Sequence, residues 1–245
     1  MTSRDGPRRD RHRRHPALGQ VAHGRRRLGS RARRAGGPTI RVRSVLPRLH
    51  AITDERIARR PDLDVVAREL AGAAGHELAL HARGHALSGL EHFDLANRLS
   101  AYRPTRLIVN DRLDVALAVG ADGVQLGHSS LDVEEARRLN VGWWIGKSVH
   151  DLAEAEAARA SGADYLVVGP VFPTPTHPGR EPLGPARLGA IARLGIPTIA
   201  VGGVTAERVP ELRDAGAHGI AAIRALWDAA DPAAAARQML EELTG

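Results

Sequence analysis

From residue 49 onward, short runs rich in Val, Ile, Leu and Ala alternate with longer segments whose apolar residues recur at helical spacing. The short runs are apolar on both alternating faces, as in strands of a parallel sheet covered on each side. They predict eight strands, at 49–53, 77–83, 106–110, 123–126, 143–149, 165–171, 198–201 and 219–223. The longer segments predict helices at 63–74, 87–100, 113–119, 131–139, 152–160, 185–194, 206–215 and 232–243.

Glycine ends a helix by taking a left-handed conformation that a side chain disfavours. Gly75, Gly120-Ala121-Asp122-Gly123, Gly162-Ala163-Asp164 and Gly216-Ala217-His218-Gly219 each stand between a predicted helix and the next strand. The recurring Gly-Ala-Asp, once Gly-Ala-His, therefore reads as a helix cap followed by a tight turn. Eight strand–helix units in about 195 residues fit one α/β domain of the (β/α)8 TIM barrel class. An open doubly wound sheet has fewer strands for this length. In a barrel the C-terminal strand ends form the active face, so chemistry is to be sought there.

Composition narrows the partners. The 245 residues contain no Cys, which removes disulfides, thiolate metal sites and a Cys nucleophile. Apolar runs such as Tyr165-Leu166-Val167-Val168 are too short to span a bilayer. Aromatic residues make up 3%, too few for a base-stacking surface. The net charge of +7 is unevenly placed: residues 1–43 hold 14 Arg against Asp5 and Asp10, a net +12. The remainder holds 21 basic against 26 acidic residues, a net −5. Residues 1–44 thus form a basic extension, poor in apolar side chains and expected to be disordered, ahead of a mildly acidic barrel at 45–245. The extension lacks the apolar core of a secretory signal. A cytoplasmic enzyme acting on a small molecule is expected, without membrane or nucleic-acid partners; a homo-oligomer is left open.

The strand ends carry unusual chemistry. They read His81-Ala82-Arg83-Gly84-His85, Asn110-Asp111-Arg112, Gln125-Leu126-Gly127-His128 and Gly146-Lys147-Ser148-Val149-His150. Strand alternation aims His81, Arg83 and His85 to one side. Gly202-Gly203, after the seventh strand, removes side chains where backbone N–H groups would approach an anion. The loop at Ile223-Arg224, after the eighth, would complete the phosphate site that barrels commonly build. The 173–184 loop, with four Pro, Thr174, Thr176, His177 and Arg180, is long enough to act as a lid, and its closing Gly184 joins the expected phosphate set.

At these residues the sequence resembles the superfamily of thiamine-phosphate synthases and thiazole tautomerases. The matching strings include Leu49-His50-Ala51-Ile52-Thr53-Asp54, Val109-Asn110-Asp111-Arg112, Ile145-Gly146-Lys147-Ser148-Val149-His150 and Gly169-Pro170-Val171-Phe172-Pro173-Thr174-Pro175-Thr176, in family order across 46–243. The resemblance implies a thiazole phosphate as ligand. In the synthase branch it also implies Mg²⁺ on two carboxylates and fixed cations facing a diphosphate. The synthase pattern Gln-x-Arg-x-Lys here reads His81-Ala82-Arg83-Gly84-His85. Gly-Gln-x-Asp reads Gly127-His128-Ser129-Ser130, and Thr-x-Thr-Lys reads Thr174-Pro175-Thr176-His177. One of two metal carboxylates is thus absent, leaving Asp111; Asp132 would replace it only through a two-residue register shift.

The tautomerase branch needs no metal, and its Gly-Arg-Ser-Val-His pattern is matched except at Lys147. That resemblance makes His150 the proton carrier. It gives substrate contacts to His81, Arg83, His85, Asn110, Asp111, His128, Ser148, Thr174, Thr176 and His177, and phosphate contacts to Gly184, Gly202, Gly203, Ile223 and Arg224. The expectation is therefore a thiazole tautomerase without a required cofactor. The alternatives are a Mg²⁺-dependent thiamine-phosphate synthase, a metal hydrolase on His81, His85, Asp111 and His150, and a non-catalytic phosphate-ligand binder.

Overall fold

Eight parallel strands pair in chain order and close on themselves: β1 (Leu49–Ile52), β2 (Leu78–Ala82), β3 (Arg106–Asn110), β4 (Gly123–Leu126), β5 (Trp144–Val149), β6 (Tyr165–Val168), β7 (Thr198–Val201) and β8 (Gly219–Ala222). The ring is sealed where Leu49 of β1 stands beside both Leu78 of β2 and Ile220 of β8. This computed structural model describes residues 45–175, 179 and 181–245. The Arg-rich extension, together with Thr176, His177 and Arg180, lies outside the described residues.

All eight predicted strands are present. So are the predicted helices, now α2 (Leu63–Ala74), α3 (Gly89–Leu99), α4 (Leu113–Val119), α5 (Val133–Leu139), α6 (Leu152–Ala160), α7 (Gly184–Ala192), α8 (Val209–Asp214) and α10 (Pro232–Thr244). The helix expected over 206–215 begins instead as a 3-10 turn, Ala206–Arg208, and becomes α-helical at Val209. Pro210, with no N–H to give, fits the first turn that this later start creates. Two further helices, α1 (Glu55–Ala58) and α9 (Arg224–Trp227), are single turns, too short to show helical periodicity in the sequence.

The Gly-Ala-Asp repeat does more than cap helices. Gly120, Gly162 and Gly216 are left-handed, with φ of 66°, 81° and 93°. After two of them the Asp carboxylate reaches under the barrel and accepts a backbone N–H of the preceding strand. Asp122 takes Leu107 N–H at 2.9 Å and Asp164 takes Ile145 N–H at 2.8 Å. Each is also paired with an arginine at 2.7 Å, Arg103 and Arg137 respectively. The repeat thus ties the bottom of the barrel and leaves the opposite rim to the active face.

Inside the ring, Ile52, Tyr165, Val167, Ile199 and Ala221 pack as one cluster, separate from the larger apolar layer between strands and helices. Polar side chains share that interior: His50, His81 and Gln125 are buried there. Gly146 of β5 has no room for a side chain, because a Cβ would run into Gln125 Oε1 and the Tyr165 ring. Gly146→Ala should therefore lower stability by about 1–3 kcal/mol through overpacking. Urea unfolding would show this as a lower midpoint with an unchanged slope.

Candidate active site at the barrel mouth

The C-terminal strand ends surround a cavity of about 680 Å³. The β1 and β2 ends are locked by Thr53, whose Oγ1 accepts Arg83 N–H at 2.9 Å and lies 2.9 Å from the His81 and Arg83 carbonyl oxygens. Beyond this clamp, Arg83 and His85 both line the cavity. Arg83 donates through Nη2 to His85 Nε2 at 2.5 Å, so the imidazole braces the guanidinium instead of adding a second cation.

His81 occupies a different level. It points inward, as alternation predicts, but it is completely buried and is not part of the cavity wall. Its two ring nitrogens are taken by His50 Nδ1, 2.8 Å from Nε2, and Asn110 Oδ1, 3.0 Å from Nδ1. The direct substrate contact expected of His81 is not available to it; only its partner Asn110 lines the cavity. The metal tetrad imagined from His81, His85, Asp111 and His150 is not assembled, since His81 and His85 spend these nitrogens on protein partners.

Asp111, next along β3, has a φ of 61°, left-handed for a residue that is not glycine. A non-glycine residue held there at a site edge is an uncommon backbone state. Its Oδ1 accepts Gly127 N–H at 2.9 Å and the Ser130 hydroxyl. Ser130, standing where the synthase pattern has an acid, thus supports the surviving carboxylate. Asp132 takes no such place: it caps α5, accepting Glu135 N–H at 2.8 Å in a reciprocal capping box. Lys147 does not line the cavity; its ammonium donates to the Gly127 carbonyl at 2.7 Å and steadies the same turn.

On β5, Ser148 and His150 both line the cavity, and Ser148 Oγ accepts from Gln125 Nε2 at 3.0 Å. His150 Nδ1 lies 2.5 Å from the Gly169 carbonyl oxygen. A carbonyl only accepts, so the neutral ring carries its proton on Nδ1 and its lone pair on Nε2. His128 and Thr174 also line the wall.

Gly202 and Gly203 are left-handed, with φ of 95° and 63°. A Cβ on Gly203 would come within 2.6 Å of the Pro173 carbonyl oxygen, so glycine here lets the β6 and β7 loops meet. Both glycines line the cavity with Ile223 and Arg224, as expected, whereas Gly184 does not. The Gly184 N–H donates to the Val171 carbonyl at 3.0 Å and starts α7. The sequence reading missed Arg208. Its guanidinium sits 4.6 Å above the Phe172 ring, donates to the Gly203 carbonyl at 2.7 Å and lines the cavity. No motif marked it, because it lies five residues past the Gly-Gly turn. Among the described residues, three arginines, at 83, 208 and 224, thus line the cavity with one carboxylate, Asp111.

The family model described as thiamine monophosphate synthase matches residues 49–226. A thiamine-phosphate synthase of Salinispora tropica is 45% identical over 208 residues, covering 82% of this chain and 99% of that protein. One from Chloroflexus aurantiacus is 41% identical, covering 78% of this chain and 90% of the other. Among solved structures, a thiamine phosphate pyrophosphorylase from Pyrococcus furiosus superimposes with a TM-score of 0.70 at 33% identity, covering 80% of this chain and 95% of that one. The Salinispora and Chloroflexus relatives carry the synthase name, and none of the three carries the tautomerase name expected from the sequence. Matched by the family model across the barrel, and by a named member along nearly all of that member's length, the chain belongs to the thiamine monophosphate synthase family.

Proposed function

We propose that this chain is a thiamine-phosphate synthase, joining a hydroxymethylpyrimidine diphosphate to a thiazole phosphate with loss of pyrophosphate. The observation that carries the reading is the 45% identity to a relative of that name along 99% of its length. The cavity supports it in size and in charge, since a volume of about 680 Å³ suits two small rings with their phosphates better than one.

In this reaction the bond between the pyrimidine methylene carbon and the diphosphate oxygen breaks, and a bond from the thiazole nitrogen to that carbon forms. Arg83, braced by His85, would donate to the departing diphosphate. Gly202, Gly203, Ile223 and Arg224 would take the thiazole phosphate, with Arg208 adding charge beside them. Gln125 and Ser148 form a polar floor between the two ends. Mg²⁺ suits this donor set as a hard cation on a single carboxylate, completed by substrate phosphate oxygens and water. Asp111 would hold it, and the ion would offset charge on the leaving pyrophosphate.

Two features favour a second reading. Ser130 supports Asp111 where the synthase pattern has a second acid, and His150 lines the cavity with Nδ1 turned to the Gly169 carbonyl, the imidazole a metal-free thiazole tautomerase would use for proton transfer. Two assays on one preparation separate the readings. A synthase releases pyrophosphate from the pyrimidine diphosphate and thiazole phosphate only with Mg²⁺. A tautomerase converts the non-aromatic carboxythiazole phosphate to its aromatic isomer, followed by absorbance, without Mg²⁺. In the second case His150→Gln should abolish the absorbance change by removing the base. Pyrophosphate release absent at every Mg²⁺ concentration would overturn the synthase reading.

A further inference from the structure

The two single-turn helices meet across the seam where β1 and β8 close the barrel. Ile223 precedes α9, Arg224 and Ala225 begin it, and all three line the cavity. One helical turn does not hold itself, because fixing its backbone costs more than its few hydrogen bonds return. In α9 these run from Trp227 N–H to the Ile223 carbonyl and from Asp228 N–H to the Arg224 carbonyl, both at 2.9 Å. The place of α9 must therefore come from its neighbours.

The buried side chains of Leu226 and Trp227 hold its inner side. Its far end is held by Arg56 in α1 and Arg60 just after it. Arg60 Nη1 donates to the Trp227 carbonyl at 2.6 Å and to Asp228 Oδ1 at 2.8 Å. Arg56 donates to both carboxylate oxygens of Asp228, at 2.9 and 2.7 Å. Arg60 is in turn fixed by Asp62, through Nε at 2.8 Å and Nη2 at 2.6 Å. The root of α1 is firm as well: Ile57 is fully buried, and its N–H donates to Asp54 Oδ1 at 2.8 Å.

Arg56, Arg60 and Asp228 do not line the cavity. Ion pairs as exposed as that of Arg56 add little to stability. What this network does fix is the backbone that carries Ile223 and Arg224.

We propose that Arg56, Arg60 and Asp228 are positioning residues, a clamp that sets α9 in place for the phosphate of a phosphomonoester ligand. The clamp rests on the phosphate site assigned above to Gly202, Gly203, Ile223 and Arg224, and not on the reaction that follows. A wall already in place spends no binding energy on ordering itself, so the clamp acts on affinity for the phosphate end of the cavity. The opposite end, with Arg83 and Asp111, is outside its reach.

Calorimetry on the full chain tests this with two probes, the thiazole phosphate for the clamped end and the pyrimidine diphosphate with Mg²⁺ for the other. Arg60→Gln should weaken thiazole phosphate binding about tenfold and change pyrimidine diphosphate binding less than about twofold. Arg56→Gln, which loses contact with Asp228 alone, should weaken thiazole phosphate binding only about threefold. The urea midpoints of both variants should stay close to that of the unaltered protein. A loss shared equally by the two ligands would overturn the clamp, as would thiazole phosphate affinity in Arg60→Gln within a factor of about two of the unaltered protein. Failure of the unaltered protein to bind thiazole phosphate would remove the phosphate site and the clamp with it. If the pyrimidine diphosphate binds neither protein, the synthase reading falls alone, and thiazole phosphate affinity at an unchanged midpoint still decides the clamp.

Discussion

Asp111→Asn should lower Mg²⁺-dependent pyrophosphate release by about 10²- to 10³-fold, the usual cost of losing one well-placed electrostatic group. The substitution keeps shape while removing charge. The carboxamide oxygen still accepts Gly127 N–H and the Ser130 hydroxyl, so the turn after β4 keeps its tie to the end of β3. What it loses is the carboxylate that would hold Mg²⁺ against the diphosphate. Ser130→Asp is the opposite experiment. The new carboxylate would stand beside Asp111, where two like charges repel each other unless a cation lies between them. Half-maximal release should then need about tenfold less Mg²⁺, because a second anionic ligand binds the ion more tightly. Both effects are read from rate against Mg²⁺ concentration. Retention of full release by Asp111→Asn, within a factor of about three, would show that no metal-held diphosphate passes this carboxylate.

The strands were legible because most are short apolar runs buried on both faces and bounded by glycine turns, signals that local sequence carries. The single-turn helices α1 and α9 were not, since one turn has no period to detect. The site was legible in direction but not in depth. Alternation correctly aims His81, Arg83 and His85 inward, yet it cannot tell which layer of the barrel each reaches, and His81 lies beneath the cavity. His50 was a lone polar residue in an apolar strand, and its meaning appears only when β1 and β2 are paired with Ile52 beside His81. Arg208 depends on the path of a loop and on the Phe172 ring across it, neither of which a motif records. The branch of the family shows the same division. Single altered positions at 81, 85, 128 and 130 suggested weakened diphosphate chemistry, while the rest of the barrel keeps the composition of proteins named synthases.

Acid should destabilise this barrel well before its carboxylates are protonated. His81 is held near about 4 by burial, against about 6.5 in an unfolded chain, so between those values the unfolded state takes up a proton that the folded state refuses. A base with a lowered folded pKa contributes its full stability above the unfolded value and loses it as pH falls from about 6.5 toward 4. At pH 5 the loss from His81 alone is roughly 2 kcal/mol, a large share of the 5–15 kcal/mol typical of a domain. His50 acts in the same direction, as does His92, which is also lowered by burial. The paired carboxylates titrate in a different window. Glu91 and Asp114 sit near about 2 when folded, so their contribution is lost only as pH drops below the ordinary carboxylate range. Urea midpoints at pH 7 and pH 5 therefore isolate the histidines. The unaltered protein should lose stability between the two. The double variant His50→Gln with His81→Gln, which keeps hydrogen-bonding groups in the chain from Pro47 to Asn110 but cannot take up a proton, should lose less by at least about 2 kcal/mol. Equal losses in the two proteins would mean that these rings are not held neutral inside the barrel.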